Sequence, residues 1–154
     1  MVSIEALLLE HPFFAGLARE DVALLAGCGV NVRHDAGAYL FHEGDPADRF
    51  FVLRRGAVAL EVHAPGAGAI IIETRGAGDV LGFSWLFAPH RVRFDARVVE
   101  DVSATSFDGT CLRRHCDDDP RLGYDLMKRF SSLLLERLQS TRLQLLDVYG
   151  DRGS

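Results

Sequence analysis

Residues 41–63 read FHEGDPADRFFVLRRGAVALEVH, with Gly44, Pro46 and Gly56 punctuating two apolar runs, 49–56 and 57–63. Runs of this length bounded by Gly, Pro and Asp are strand signals. The same rhythm extends outward on both sides. NVRHDAG (31–37) and AYLFHEGD (38–45) precede it, and AIIIETRGAGD (69–79) follows across the PGAG turn at 65–68. The alternating segment VSATSF at 102–107 completes the set. Strands recurring roughly every eight to twelve residues predict a β-sandwich or jelly roll.

Helical periodicity flanks these strands. Over 3–28, Ile4, Leu7 and Leu8 form one apolar stripe, and Asp21, Val22, Leu24 and Leu25 belong to a second helix after the HPFFAGL break. Beyond Phe107, DGTCLRRHC predicts a short helix, and Asp119 with Pro120 forms an N-cap and first-turn pair that opens a long one ending near 149. Met127, Leu134, Leu138, Thr141, Leu145 and Val148 recur at the steps of a helix that pairs with a like partner. The first half of that helix is expected to pack on its own domain and the second half on another subunit. No linker, internal repeat or low-complexity tract divides the chain, so residues 1–154 are read as one domain: helices over about 3–28, strands over about 30–107 and helices over about 109–149.

The strand rhythm breaks at residues 78–99, GDVLGFSWLFAPHRVRFDARVV. Gly78 and Gly82 permit backbone angles that other residues resist. Ser84 is positioned to present free backbone N–H groups at the start of one helical turn, a natural seat for an anion. On a period-2 strand, Val92, Phe94, Ala96 and Val98 share one face and Arg91, Arg93 and Arg97 the other. Amide donors, aromatic planes and an arginine fork suit a phosphate that carries a flat base. The plainer reading is an edge strand with solvated arginines.

Composition narrows the function. The formal charge of −5 and the lack of any dense Lys/Arg cluster argue against direct DNA binding. The apolar runs are too short to span a bilayer, and the first residues carry Glu5 and Glu10 without a basic start or a clear cleavage site, so a cytoplasmic protein is expected. Cys28, Cys111 and Cys116 are odd in number and lack CxxC spacing; they are read as reduced thiols. Cys111, His115 and Cys116 share one helical turn, but no fourth metal ligand is evident. HExxH, nucleophile-elbow, Walker and paired-carboxylate signatures are absent, so no enzyme, metal or required cofactor is expected.

Several strings resemble the cyclic nucleotide-binding domain family, over residues 11–149. HPFFAGLAREDVALLA (11–26) resembles its entry helices, FHEGDPADRFFVLRRGAVAL (41–60) its EGDPAD hairpin, and GDVLG (78–82) the lead into its phosphate-binding cassette. FDGTCLRRHCDDDPRLGYDLMKRF (107–130) and RLQSTRLQLLDV (137–148) are similar to its closing helices. The resemblance implies a mainly β fold with flanking helices, an eight-stranded β-roll or jelly roll that binds cAMP or cGMP and repositions its C-terminal helices. In the usual cassette, Gly-Glu-x-Ala-Leu precedes Arg-x-Ala; the Glu holds the ribose hydroxyl, and the Arg and cassette amides hold the cyclic phosphate. Here Gly82 is kept, Phe83 stands in the place of the Glu, and Trp85 in the place of the small residue. An ungapped count from Gly82 puts the phosphate arginine at Arg93, with Phe94 at the small-residue position and Arg91 as the rival.

Losing the carboxylate should weaken binding of a ribose by roughly 1.5–3 kcal/mol. Phe83 and Trp85 either stack on a base or cover a more apolar anion, or they plug the pocket. In the long helix, Thr141 matches an adenine-contacting threonine and Arg142 replaces a partner-chain serine; alternatively the Thr141 hydroxyl returns to the helix backbone. The resulting expectation is a regulatory ligand-sensing domain, dimeric through its last helix, that binds a cyclic nucleotide or related anion and signals to an effector protein. With no DNA-reading helix pair expected after Tyr149, it is not read as a complete transcription factor. The alternative is a degenerate docking or structural module, with Phe83 and Trp85 in its own core or at an interface, and an enzymatic reading is third.

Overall fold

The computed structural model describes residues 3–152, with side chains described as far as Arg142. Two short helices, α1 (Ile4–Glu10) and α2 (Arg19–Gly27), flank a 3-10 turn at Pro12–Phe14. Six strands follow: β1 (Gly29–His34), β2 (Tyr39–Phe41), β3 (Arg49–Ala64), β4 (Gly68–Gly76), β5 (Val80–Leu81) and β6 (Asp95–Asp108). The chain closes with α3 (Gly109–Asp118) and α4 (Pro120–Arg152).

The local start signals act as expected. Ser3 caps α1 by accepting from the Ala6 amide at 3.2 Å, and the Asp108 carboxylate accepts from the Thr110 and Cys111 amides at the head of α3. Asp119 accepts from the Arg121 amide at 3.1 Å as α4 begins at Pro120. Each bond satisfies a backbone donor that the first helical turn cannot pair internally.

All six strands belong to one antiparallel sheet in the order β1-β6-β3-β4, with β2 added to β6 and β5 to β3. The fold is the expected roll, but six segments stand where eight strands are predicted. The runs at 49–56 and 57–63 form one strand, β3, that continues through a register break around Gly56. The segment near Arg97 likewise joins VSATSF in one strand, β6, which begins only at Asp95.

Successive residues of β3 point to opposite sides. Phe50 and Val52 enter a core beneath the helices, with Leu8, Phe14, Leu25, Leu112, Leu126 and Phe130. Phe51 and Leu53 enter a second core inside the roll, with Val58, Leu60, Ala96 and Val98. Because both faces are covered, the run FFVL lacks polar alternation. Each such buried side chain contributes about 1.5–3 kcal/mol. The first half of α4 therefore packs on its own domain as expected.

The cysteine reading needs correction. Cys28 and Cys111, 83 residues apart, form a disulfide, and Cys116 is the free thiol among the described residues. The pairing was invisible in the spacing because it depends on β6 returning to the end of α2: the Asp108 amide donates to the Cys28 carbonyl at 2.8 Å.

Candidate functional site

After β5, Gly82 takes φ 92°, and residues 83–85 make one 3-10 turn. Any side chain at Gly82 would meet the Arg49 carbonyl oxygen at 2.8 Å, so the chain needs glycine both for its angle and for its clearance. No side chain caps the turn. Its leading amides are thus the unpaired donors expected of a helix start.

Residues 90–92 then run beside the EGDPAD loop. The Ala47 amide donates to the His90 carbonyl at 2.8 Å, the Gly44 amide to the Val92 carbonyl at 2.8 Å, and the Val92 amide to the Asp45 carbonyl at 3.0 Å. Val92 is buried while Arg91 and Arg93 are exposed. Both arginines reach the same cavity, but Val92 and Phe94 line it too, so the expected division into an apolar face and an arginine face does not hold in this irregular segment.

That cavity has a volume of about 260 Å3; Gly82, Phe83, Ser84, Arg91, Arg93 and Phe94 line it together with Arg49 and Leu134. Arg91 donates to the Gly44 carbonyl at 3.3 Å. Arg93 enters no ion pair among the described residues. The expectation that Arg97 shares their side is overturned: the turn into β6 resets the alternation, and Arg97 pairs with the buried Glu61 at 2.8 Å. Its guanidinium is held further toward the charged form first by that hydrogen bond and then by the same carboxylate's charge.

Of the readings of Trp85, the structure matches the one that puts it in the domain's own core. It is 0 % exposed, stacked 5.4 Å from Phe50 and edge-on 5.5 Å from Phe130. Its indole lies in the helix-side core, so it neither stacks on a base nor fills the cavity. Arg113 of α3 donates to its backbone carbonyl, which ties the cassette to the closing helices.

Phe83, by contrast, lines the cavity and touches α4. Its ring meets Phe130 edge-on at 5.6 Å, and the Arg137 guanidinium lies 4.5 Å over its face. Arg137 donates to the Val80 carbonyl at 2.6 Å. Its pKa is pushed down to about 10, chiefly by burial and then by Arg75, with Glu73 and Asp79 opposing. Phe130, Leu134 and Arg137 are spaced i, i+4, i+7, so one face of α4 covers the cassette.

Leu134, expected in the partner seam, is thus a wall of the cavity. Thr141 takes the plainer of its two readings: its hydroxyl donates to the Arg137 carbonyl at 2.9 Å. It lines a separate cavity of about 390 Å3 with Ser140 and Arg137, and Arg142 is exposed; neither joins the cassette within one chain. The side chains of Leu145 and Val148 lie outside those described. Arg49 and Arg137 were missed because neither stands in a distinctive spacing.

Residues 31–119 match the profile of the cyclic nucleotide-binding domain, and the chain belongs to that family. It is 31% identical to Glutaminase 1 of Bradyrhizobium diazoefficiens over 133 residues, 85% of this chain but 21% of that protein. It is 26% identical to the CRP-like cAMP-activated global transcriptional regulator of Mycobacterium tuberculosis, across 94% of this chain and 63% of the regulator. The chain therefore spans less than two thirds of either relative. A solved structure of a cyclic nucleotide-binding protein from Geobacter metallireducens superposes with a TM-score of 0.79 at 27% identity, covering 90% of this chain and 99% of the other. No helix among the described residues is long and apolar enough to cross a membrane.

Proposed function

We propose that this chain is a regulatory sensor, not an enzyme, that takes a cyclic nucleotide, cAMP or cGMP, or a related phosphate-bearing anion into the cassette cavity. The observation that carries the reading is the shared wall: Arg91, Arg93 and the cassette turn line one side and Leu134 of α4 another. The arginines supply charge-assisted bonds to a phosphate. Phe83 offers a ring face where the usual cassette has its carboxylate, which favours a ligand whose ribose hydroxyl is bound weakly or absent. A ligand entering there would press on Phe83 and Leu134 and shift α4. The signal then passes to an effector protein, in a cytoplasmic setting, without direct contact to DNA.

The substitution of Phe83 for the carboxylate also favours a second reading, a docking module that no longer takes a ligand. Calorimetric titration of cAMP and cGMP separates the two. Heat is expected from the native protein and should fall by at least about tenfold in affinity in Arg93→Ala, the loss of roughly one charge-assisted bond. Absence of heat with both nucleotides, while a domain of ordinary cassette sequence binds normally, would exclude the cyclic nucleotide and leave the docking module or another anion. Loss confined to Arg91→Ala would reassign the phosphate arginine.

The exposed side of α4 supports a homodimer. Tyr124, Met127, Leu135 and Leu138 are 65%, 38%, 56% and 48% exposed along it. Sedimentation is expected to show a dimer for the native chain and a monomer for the double variant Leu135→Glu, Leu138→Glu. An unchanged mass in that variant would remove α4 from the interface.

A further inference from the structure

The disulfide brings a third group with it. Cys28 follows α2, Cys111 lies in the first turn of α3, and His115 stands one turn further along the same helix face. Their two sulfurs and an imidazole nitrogen all lie within 4.8 Å of one another. The backbone holds this meeting independently of the S–S bond. The Asp108 amide donates to the Cys28 carbonyl at 2.8 Å and the Gly109 amide to the Asp48 carbonyl at 2.7 Å, immediately before Cys111. Cys28 is 6% exposed, so its sulfur has little room to turn away.

We propose that Cys28, Cys111 and His115 form a redox-controlled site for a thiophilic divalent cation of the zinc type. As a disulfide the sulfurs are bonded to each other and unable to bind metal. A dithiol reductant donates two electrons and two protons to the S–S bond, itself becoming a disulfide and leaving two thiols. The cation then displaces both thiol protons and is held by two thiolates and the neutral imidazole, with water in the fourth tetrahedral position. Two sulfurs and one nitrogen suit zinc, which binds thiolate at about 2.3 Å and imidazole at about 2.0–2.1 Å. Cys116, the ligand that spacing alone would pair with His115, is not part of the set. The site sits at the root of α3, whose Arg113 grips the Trp85 carbonyl, so its state bears on the cassette.

The test uses the whole chain, reduced with a dithiol that is then removed anaerobically, and titrated with Co2+ followed by Zn2+. One Co2+ is expected per chain, with thiolate-to-cobalt charge-transfer absorption and the d–d absorption of a tetrahedral ion, both abolished by Zn2+. Zn2+ should also shield two of the three thiols from a thiol reagent. The oxidised protein should show neither signal. His115→Ala should weaken Co2+ by at least the roughly 10–100-fold that even an outer-shell loss costs, and Cys116→Ser should leave it unchanged. Failure of the reduced protein to bind Co2+, or binding equal in His115→Ala, would overturn the site. If Cys28→Ser or Cys111→Ser does not fold, the His115 variant and the oxidised native chain still decide it.

Discussion

Truncating Phe130 to alanine is expected to lower stability by about 3–5 kcal/mol, the range for emptying a buried aromatic site. The ring is 0 % exposed and meets Phe13, Phe50, Phe83 and Trp85 at centroid distances of 4.9, 5.3, 5.6 and 5.5 Å. These neighbours come from the N-terminal turn, β3 and the cassette, so no single element can move inward to fill the gap. Denaturant unfolding measures the loss. The emission of Trp85, the single tryptophan, should shift to the red as water approaches the indole. Ser132→Ala, on the same helix but exposed and away from the side proposed for the dimer, should stay within about 0.5 kcal/mol of the native protein. Equal effects of the two variants would mean that α4 is not seated on the cassette.

That seating bears on function because Phe130, with Arg137, holds α4 against Phe83. In a sensor, the free energy of ligand binding must differ between two placements of the helix. Phe130→Ala therefore removes part of the surface through which such a difference is transmitted.

Much of the fold was legible in the chain because its turns are chemically loud. Gly44, Pro46 and the PGAG turn mark breaks between strands by backbone requirements that few other residues meet. Asp108 and Asp119 announce helix starts by the same logic. The strand count was not legible, since Gly56 marks a break inside one continuous strand as readily as a turn between two.

The site was legible only as a segment. Arg91 and Arg93 reach the cavity, while Arg97 leaves it, because the alternation is interrupted between an irregular segment and β6. The interruption lies at Phe94, a bend between the irregular residues 92–93 and the start of β6 at Asp95. Period-2 counting assumes a continuous strand and cannot register it. Which reading of Trp85 holds was not legible for a related reason. One 3-10 turn buries Trp85 wholly in the helix-side core, while Phe83 packs against that core and also lines the cavity. Cys28 and Cys111 read as reduced thiols in the sequence because a pairing across 83 residues has no local signature.

Gly56→Ala should be among the most destabilising single substitutions in the sheet, costing about 4 kcal/mol or more. Gly56 sits at φ 89°, where a side chain costs roughly 1–2 kcal/mol. That is the smaller part. Between the pairs Arg55↔Ser103 and Ala57↔Glu100, β3 advances two residues while β6 advances three, and the bulge presses β6 against Gly56. A Cβ there would overlap the Asp101 carbonyl oxygen and stand 2.8 Å from both the Asp101 carbonyl carbon and the Glu100 oxygen. These are backbone atoms of a paired strand, so relief requires parting the β3–β6 ladder where it joins the two cores. Gly66→Ala isolates the contribution: φ is 79°, but no atom lies within 4 Å of the added carbon. It should lose only the conformational share, about 1–2 kcal/mol. The difference between the two variants in denaturant unfolding then measures the collision. Equal losses would show that the strands are not in this close contact, and the register that carries β6 from the cassette to Cys111 would have to be redrawn.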